Sequence, residues 1–117
     1  MREFGNEIQI FLMETFNIKK ILDSMERRPL NKQVFCTTNN LKAQVMRLGT
    51  GTSIPPCKMD NDVLFYILRG EGTITVDDET SVLGTGDCIV VPQQAESRSI
   101  HAVTDLEILA VQGISNK

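Results

Sequence analysis

The sequence has a single histidine, no excess of basic residues and no long apolar run. Its 12 Lys and Arg residues against 15 Asp and Glu residues give a net charge of −3. The composition therefore offers neither the basic footprint of nucleic-acid-binding domains nor the polybasic patch that binds anionic membranes. The longest apolar run, Val63 to Leu68, is far shorter than the roughly 20 residues that cross a bilayer. These absences exclude nucleic acid and membranes as predicted partners.

Cysteine is also scarce, and the three cysteines have no paired spacing: Cys36, Cys57 and Cys88. The first ten residues lack the apolar segment of a signal peptide. Because disulfides are rare in the reducing cytosol, we predict free thiols and a cytoplasmic location.

The remaining composition is that of a compact domain. The chain has 117 residues, of which 41% are hydrophobic. This is the usual size of one domain, and such a domain buries roughly two-thirds of the surface that its unfolded chain exposes. We therefore predict a single domain over residues 1–117 with one hydrophobic core.

Residues 17–28 have the pattern of a helix. Asn17 is a suitable N-cap, and Arg27 and Arg28 suit the negative end of the helix dipole. Pro29 would end the helix. One apolar stripe follows at the helical spacing: Ile18, Ile21, Leu22 and Met25.

After Pro29 the apolar pattern has a period of two, which indicates strands. The predicted strands are 33–38, 41–48, 63–69, 73–76, 88–91, 98–103 and 106–112. Asn39-Asn40 is a suitable tight turn, and Asp77-Asp78-Glu79 is a charged hairpin tip. Many short strands with turn signals at short intervals predict an all-β barrel or sandwich.

Two glycines, Gly51 and Gly70, are spaced as in the first conserved motif of the cupin family, which this stretch resembles. That motif reads Gly, five residues, His, one residue, His, three or four residues, Glu, six residues, Gly. Here Cys57 and Met59 occupy the two His positions, and Val63 occupies the Glu position. The resemblance therefore implies the family's barrel without the ligands of its metal.

A later stretch resembles the second motif of the same family. Gly86 and Pro92 match it, while Gln94 replaces a Gly. Ser97 occupies the position of the fourth metal-binding residue, and His101 replaces an Asn. The family's metal is held by three imidazoles and one carboxylate, which this chain does not provide, so no metal and no cofactor are predicted.

The resemblance covers about residues 13–113. It implies an all-β cupin double-stranded β-helix, or jelly-roll barrel, over residues 33–113 with one short N-terminal helix. The first twelve residues stand outside it as an extension. Two origins stay open for this extension, a native strand or translation from an upstream start codon.

Period-two geometry, read in the register of the motifs, predicts which side chains line the barrel. Ile67 and Ser99 would point inward with the residues at the motif positions. No catalytic residue is predicted. The predicted ligand-binding residues are Cys57, Met59, Val63, Phe65, Ser97 and His101.

Two alternatives for these residues stay open. Cys57 and Met59 are soft ligands that suit Cu(I), with His101 as a third ligand, although Cys and Met also fill apolar cores. Cys57 could instead be a nucleophile activated by His101, with Glu96 or Asp105 as the group that orients the imidazole. Packing of Cys57 in an apolar interior would make its thiol poorly reactive.

The N-terminal extension alternates apolar and polar residues over 7–12, as a strand does. Burial would stabilise the apolar side chains of this strand, which are Ile8, Ile10 and Leu12. An exposed strand edge also has unpaired backbone groups that can pair with another strand. We therefore predict that this strand pairs with a sheet edge, possibly on the other subunit of a homodimer.

The predicted function is that of a metal-independent small cupin that binds a small organic ligand in an apolar barrel pocket. One alternative is a metal-free enzyme, either isomerase- or epimerase-like or using Cys57 and His101. Another is a structural homodimer whose barrel is filled.

Overall fold

The structure, a computed structural model, describes residues 2–4, 7–9 and 13–114. These ranges hold one helix and eleven strands. In chain order they are β1 (Arg2–Phe4), β2 (Glu7–Gln9), α1 (Ile18–Ser24), β3 (Leu30–Thr37), β4 (Leu41–Leu48), β5 (Ser53–Cys57), β6 (Val63–Arg69), β7 (Glu71–Val76), β8 (Glu79–Gly84), β9 (Cys88–Val91), β10 (Arg98–Ala102) and β11 (Leu106–Gly113). No helix in the described ranges is long and apolar enough to cross a membrane.

Strands β3 to β11 form two antiparallel sheets. One has five strands in the order β3-β4-β11-β6-β9, and the other has four in the order β5-β10-β7-β8. From β4 to β7, and again from β8 to β11, each strand lies in the opposite sheet from the one before it. This crossing between sheets confirms the predicted all-β class and the jelly-roll barrel.

The core lies between the two sheets, because alternate residues of each strand point inward. On β6 the inward residues Val63, Phe65 and Ile67 are at most 2% exposed, as the pattern predicts. They pack against inward residues of the four-stranded sheet: Ile54, Ile74, Leu83 and Ile100.

Several strand bounds agree with the sequence pattern and others do not. The predicted strands 41–48, 63–69 and 88–91 have the observed bounds. β3 begins earlier than predicted, at Leu30, and β7 begins at Glu71. These extra residues continue ladders that their partner strands already form, which a pattern in one segment cannot show.

Both predicted turns join antiparallel strands, although β8, which follows the second turn, is not among the predicted strands. Asn39-Asn40 connects β3 with β4, and Asp77-Asp78 connects β7 with β8. Asp77 has a φ of 52°, a left-handed angle that Asp adopts more readily than most residues. Glu79 is the first residue of β8, so the predicted hairpin tip is one residue too long.

Helix α1 is shorter than predicted. Its start is confirmed, since the side-chain oxygen of Asn17 accepts a hydrogen bond of 2.9 Å from the backbone N–H of Lys20. It ends before Met25, which has extended backbone angles (φ −78°, ψ 140°). The prediction that Arg27 and Arg28 form the last helical turn is therefore wrong. Both arginines lie in the connection from α1 to β3.

An arginine on the neighbouring sheet explains this early end. Nη1 of Arg47, on β4, donates to the carbonyl oxygens of Leu22 at 2.9 Å and of Met25 at 3.5 Å. The last carbonyls of a helix lack partners within its regular pattern. That of Leu22 accepts from the backbone N–H of Met25 at 3.1 Å, and Arg47 adds a second donor from the sheet. Leu22 and Met25 also pack on Val45, which holds α1 on the outer face of the five-stranded sheet.

The N-terminal extension differs from its predicted pairing. β2 lies within the predicted strand 7–12, of which residues 10–12 are outside the described residues. β2 pairs antiparallel with β1, and in the described ranges these two strands form a separate sheet. In the described ranges neither strand pairs with an edge of the barrel. Pairing with a second subunit stays a prediction.

Candidate functional site

A pocket of about 280 Å³ opens at one end of the space between the two sheets. It opens there because inward residues of neighbouring strands change from apolar to polar along their length. On β4 they run from Leu48 and Met46 to Gln44 and Lys42, and on β11 from Ile108 and Ala110 to Gln112. The apolar ends close the core, while the polar ends form the rim of the pocket.

Arg98 is the buried charged residue of this pocket. Its neighbours Ile100 and Ala102 on β10 are at most 1% exposed and point into the core. Arg98 has the same orientation, since side chains alternate along a strand. It is 7% exposed, and its side chain lines the pocket.

The guanidinium of Arg98 has no carboxylate partner in the described residues. Its Nη2 donates to Sδ of Met59 at 2.8 Å, and its central carbon lies 5.3 Å from the ring centroid of Phe65. Its Nε is buried and has no hydrogen-bond partner. Buried charges are usually paired, so this pocket contains an unneutralised donor.

The other charged residues of the lining have the same sign. Lys32 and Lys42 line the pocket together with Arg98, and none of its described lining residues is Asp or Glu. The chain as a whole has a net charge of −3, so this concentration of positive charge is local. The pocket therefore favours an anion over a cation.

Four of the predicted ligand-binding residues meet at this pocket: Cys57, Met59, Val63 and Phe65. Val63 and Phe65 form its buried wall. Cys57 is exposed, with Sγ 4.0 Å from Sδ of Met59. The expectation of an interior thiol is therefore wrong, because β5 ends at Cys57 at the rim of the barrel. A ligand-binding role for the four residues stays a prediction.

Ser97 and His101 do not line the pocket. The motif register would turn them, with Ser99, toward the interior, whereas β10 turns Arg98 inward and His101 outward. A shift of one residue moves every side chain of a strand to its other face. His101 is exposed, with Nδ1 2.6 Å from Oγ of Ser53. Ser97 lies in the loop before β10, and its backbone N–H donates to the side chain of Asp77.

The structure does not bring Cys57 and His101 together, as the predicted nucleophile and the predicted copper site both require. Cys57 is the strand partner of Arg98, whereas His101 is the partner of Ser53. Because Arg98 and His101 are three residues apart on β10, Cys57 and His101 are separated by about 10 Å along the strands. A third ligand for copper is therefore not beside Met59, and the cationic Arg98 takes the sulfur as acceptor.

The carboxylates proposed to orient His101 are engaged elsewhere. Oδ1 of Asp105 accepts hydrogen bonds of 2.9 Å from the backbone N–H and from Oγ1 of Thr50. Glu96 lies 3.9 Å from Nζ of Lys58. In the described part of the chain, no three His, Cys, Asp or Glu residues are grouped so that they could hold a metal ion.

The sequence did contain a signal for Arg98. The segment Arg98-Ser99-Ile100-His101-Ala102 alternates, and its apolar members are Ile100 and Ala102. Turning these two toward the core turns Arg98 inward with them. The spacing of the motif positions outweighed this alternation and led to the wrong face.

A family model described as a cupin domain matches residues 44–111. No curated protein matches the chain. Among solved structures it is similar to a conserved protein of unknown function from Streptococcus pyogenes, with 23% identity and a TM-score of 0.75 over 92% of this chain and 93% of that one.

Two further solved structures are similar. A cupin superfamily protein from Desulfitobacterium hafniense DCB-2 has 22% identity and a TM-score of 0.71, over 78% of this chain and 84% of that one. KdgF from Halomonas sp. has 18% identity and a TM-score of 0.74, over 86% of this chain and 94% of that one. At these identities the likeness shows the fold alone.

Proposed function

Because this chain belongs to the cupin family, we propose that it uses the pocket of its barrel to bind a small organic anion. The ligand is a carboxylic acid with a short apolar body, and Arg98 is the anchor of its acid group. The observation that carries the proposal is the buried guanidinium of Arg98, which has no carboxylate partner in the described residues. In this proposal a side chain provides the positive charge that holds the ligand.

The energetics of Arg98 support an anionic ligand. Removing a charge from water costs several kcal/mol, about as much as a well-placed counter-ion returns. The contact with Phe65 offsets only part of this cost, since a cation–π contact contributes about 0.5–2 kcal/mol. A carboxylate can accept two parallel hydrogen bonds from a guanidinium. It would thus satisfy donors that the protein leaves available.

The walls of the pocket define the rest of the ligand. Val63, Phe65 and Met46 are buried apolar residues that line it, so the body of the ligand should be apolar. The volume of about 280 Å³ is just below the usual range for ligand pockets, roughly 300–1,000 Å³, so the ligand should be small. Lys32 and Lys42 at the rim would attract the acid toward the opening.

The same lining favours binding over the two predicted alternatives. An epimerase-like enzyme that uses a histidine with a carboxylate requires both in the pocket, and its described lining has neither. A filled barrel would leave no cavity beside Cys57 and Met59, where one of about 280 Å³ lies. These features support a binding protein.

The experiment is a thermal-shift and calorimetry screen of small aliphatic and aromatic carboxylic acids, each with its primary amide as a matched neutral analogue. We expect acids to bind and amides not to bind. Arg98→Met should abolish acid binding, while Arg98→Lys keeps the charge, loses the fork of donors and binds more weakly. Lys20→Met removes the same charge from exposed α1 and should bind as wild type.

The folding of Arg98→Met is not at risk in this design. Replacing a buried charge by an apolar residue of similar size is often neutral or stabilising. Equal binding of acids and amides, or undiminished binding by Arg98→Met, would refute Arg98 as the anchor. If none of the acids binds and Val63→Phe destabilises by about 1–3 kcal/mol through overpacking, the filled barrel is the better description.

We also propose that the protein is a homodimer and that it is located in the cytoplasm. The outer face of β6 and β9 exposes an apolar patch formed by Leu64, Tyr66 and Val90, with 36%, 38% and 60% exposure. Covering such a patch on a second copy would stabilise a dimer. Light scattering of wild type and of a chain without residues 1–12 tests both the dimer and the extension's part in it.

The three free cysteines suit a reducing compartment, which supports the cytoplasm as the location.

A further inference from the structure

A second cavity, of about 400 Å³, lies at the opposite end of β4, β6 and β11 from the barrel pocket. Four arginines line it: Arg27, Arg28, Arg47 and Arg69. Its acidic lining residues are Asp105 and Glu107. The described lining thus has a net charge of +2, in a chain whose net charge is −3.

The two carboxylates of this cavity already have partners. Glu107 accepts a hydrogen bond of 2.9 Å from Nη2 of Arg47, and both side chains are at most 15% exposed. Arg47 also holds the last carbonyls of α1, so its donors serve the fold. Asp105 accepts from the backbone N–H and the hydroxyl of Thr50. Neither carboxylate forms an ion pair with Arg27 or Arg69 in the described residues.

Arg69 faces this cavity because of an irregularity in the sheet. Between β11 and β6 the register shifts, so that Ile108 pairs with Ile67 but Glu107 pairs with Arg69. Paired residues of antiparallel strands share a face, and Glu107 lies with Arg47 on the outer face. The extra residue therefore brings Arg69 to that face beside the cavity.

Arg27 lines the same cavity from the connection between α1 and β3. The side chains of Arg27 and Arg69 form no hydrogen bond or ion pair with a described residue. The charges of both arginines nevertheless reach the carboxylate of Asp105. Its pKa is lowered mainly by the hydrogen bonds from Thr50 and further by the charges of Arg27 and Arg69. Two guanidinium groups with free donors thus flank one cavity.

From this arrangement we infer a second anion site, in which Arg27 and Arg69 bind the phosphate group of a phosphorylated small molecule. A phosphate dianion carries the opposite charge to Arg27 and Arg69 and offers oxygens in more than one plane, so two guanidinium groups can each donate to it. A carboxylate has only two oxygens in one plane. The cavity of about 400 Å³ leaves room for a small group beside Pro29 and Leu48, which also line it.

The test is a titration of the full chain with inorganic phosphate, pyrophosphate and phenyl phosphate. Binding is measured by calorimetry and by the shifts of backbone amide signals in NMR spectra. We expect Arg27→Gln and Arg69→Gln each to weaken binding about tenfold or more, as the loss of a charge-assisted hydrogen bond does. Both arginines are exposed, so the variants should fold. Shifts are expected at Gly49 and Arg69, which line the cavity.

Two controls separate this site from the barrel pocket and from general attraction. Arg98→Met should bind phosphate as wild type, and Lys20→Gln removes an equal charge from exposed α1 without effect. The inference fails if phosphate does not bind, if Lys20→Gln weakens binding as much as Arg69→Gln, or if Arg98→Met alone abolishes it. Phenyl phosphate binding more tightly than phosphate would support an organic ligand, and equal affinity would limit the site to free phosphate.

Discussion

Arg98 and Cys57 are partners across the ladder between β10 and β5, yet one is buried in the barrel and the other is exposed at its rim. Both line the same pocket. The proposed anchor of the ligand and a chemically reactive group therefore lie side by side, and the thiol can report on whether the pocket is occupied.

The first prediction uses this thiol. An acid bound at Arg98 should slow the reaction of Cys57 with a maleimide reagent, because the ligand fills the space beside the thiol. Cys88 is also exposed but belongs to β9, away from the described lining of the pocket, and is the internal control. Labelling rates at each site are measured by mass spectrometry with and without the ligand. Equal slowing at both cysteines, or none at Cys57, would contradict binding in this pocket.

The second prediction concerns the ion pair between Arg47 and Glu107, whose side chains are 12% and 15% exposed. Arg47→Met should lower the free energy of unfolding by about 2–4 kcal/mol, because it leaves a half-buried carboxylate unpaired and frees the carbonyls at the end of α1. Urea denaturation measures the loss.

A surface ion pair is the matched control for this change. Lys19 and Asp23 lie 3.0 Å apart, with 84% and 61% exposure. Asp23→Asn should therefore change the free energy of unfolding by no more than about 0.5 kcal/mol. If the two substitutions have similar effects, burial of the Arg47 pair is not what stabilises the fold.

The third prediction compares two glycines of the family motifs. Gly70 and Gly86 have φ angles of 100° and 91°, which alanine adopts only with strain of roughly 1–2 kcal/mol. A Cβ at Gly70 would also collide with the backbone of Asp105, whereas a Cβ at Gly86 would meet nothing within 4 Å. We expect Gly86→Ala to cost about 1–2 kcal/mol and Gly70→Ala clearly more, on the order of 3 kcal/mol or above. Thermal and urea denaturation check the order, and similar costs at the two sites would mean that the backbone near Gly70 moves to relieve the collision.

The fourth prediction is a pH dependence. Hydrogen bonds from the backbone and hydroxyl of Thr50, and more weakly the charges of Arg27 and Arg69, lower the pKa of Asp105 from its ordinary value of 3.8. Since the folded pKa is below the unfolded one, this carboxylate stabilises the fold above about pH 4. That contribution is lost as the pH falls through the lowered pKa.

Unfolding of wild type and Asp105→Asn should be compared from pH 7 to pH 2. The difference between them should shrink as the pH falls below 4. Thr50→Val removes the hydroxyl donor but keeps the backbone donor, so its effect should be smaller and in the same direction. A difference that does not depend on pH would mean that the ionisation of Asp105 does not contribute.

Much of the fold followed from local patterns. The alternation in 63–69 predicted both the bounds of β6 and its buried face, because a strand buried on one face is specified by its own apolar positions. Asn39-Asn40 and Asp77-Asp78 predicted their turns, since the φ angles of a tight turn depend on the residues within it. The N-cap at Asn17 is local for the same reason.

Less of the candidate site could be predicted. Cys57, Met59, Val63 and Phe65 lie together as the period of two indicated. The inward face of β10 was assigned from motif spacing, and an error of one residue exchanged Arg98 for Ser97 and His101. A strand of five residues contains too few apolar positions to oppose such an assignment.

The sequence by itself determined the barrel, its turns, the start of α1 and the absence of the family's metal ligands, because each depends on residues close together in the chain. Tertiary structure decided which charges meet. Arg47 binds the end of α1 from a strand that begins seventeen residues after the helix, and a register shift brings Arg69 to the cavity that Arg27 also lines. The pairing of β10 places Arg98 over Phe65. These relationships depend on strand register and burial across the sheets, and neighbouring residues in the sequence do not specify them.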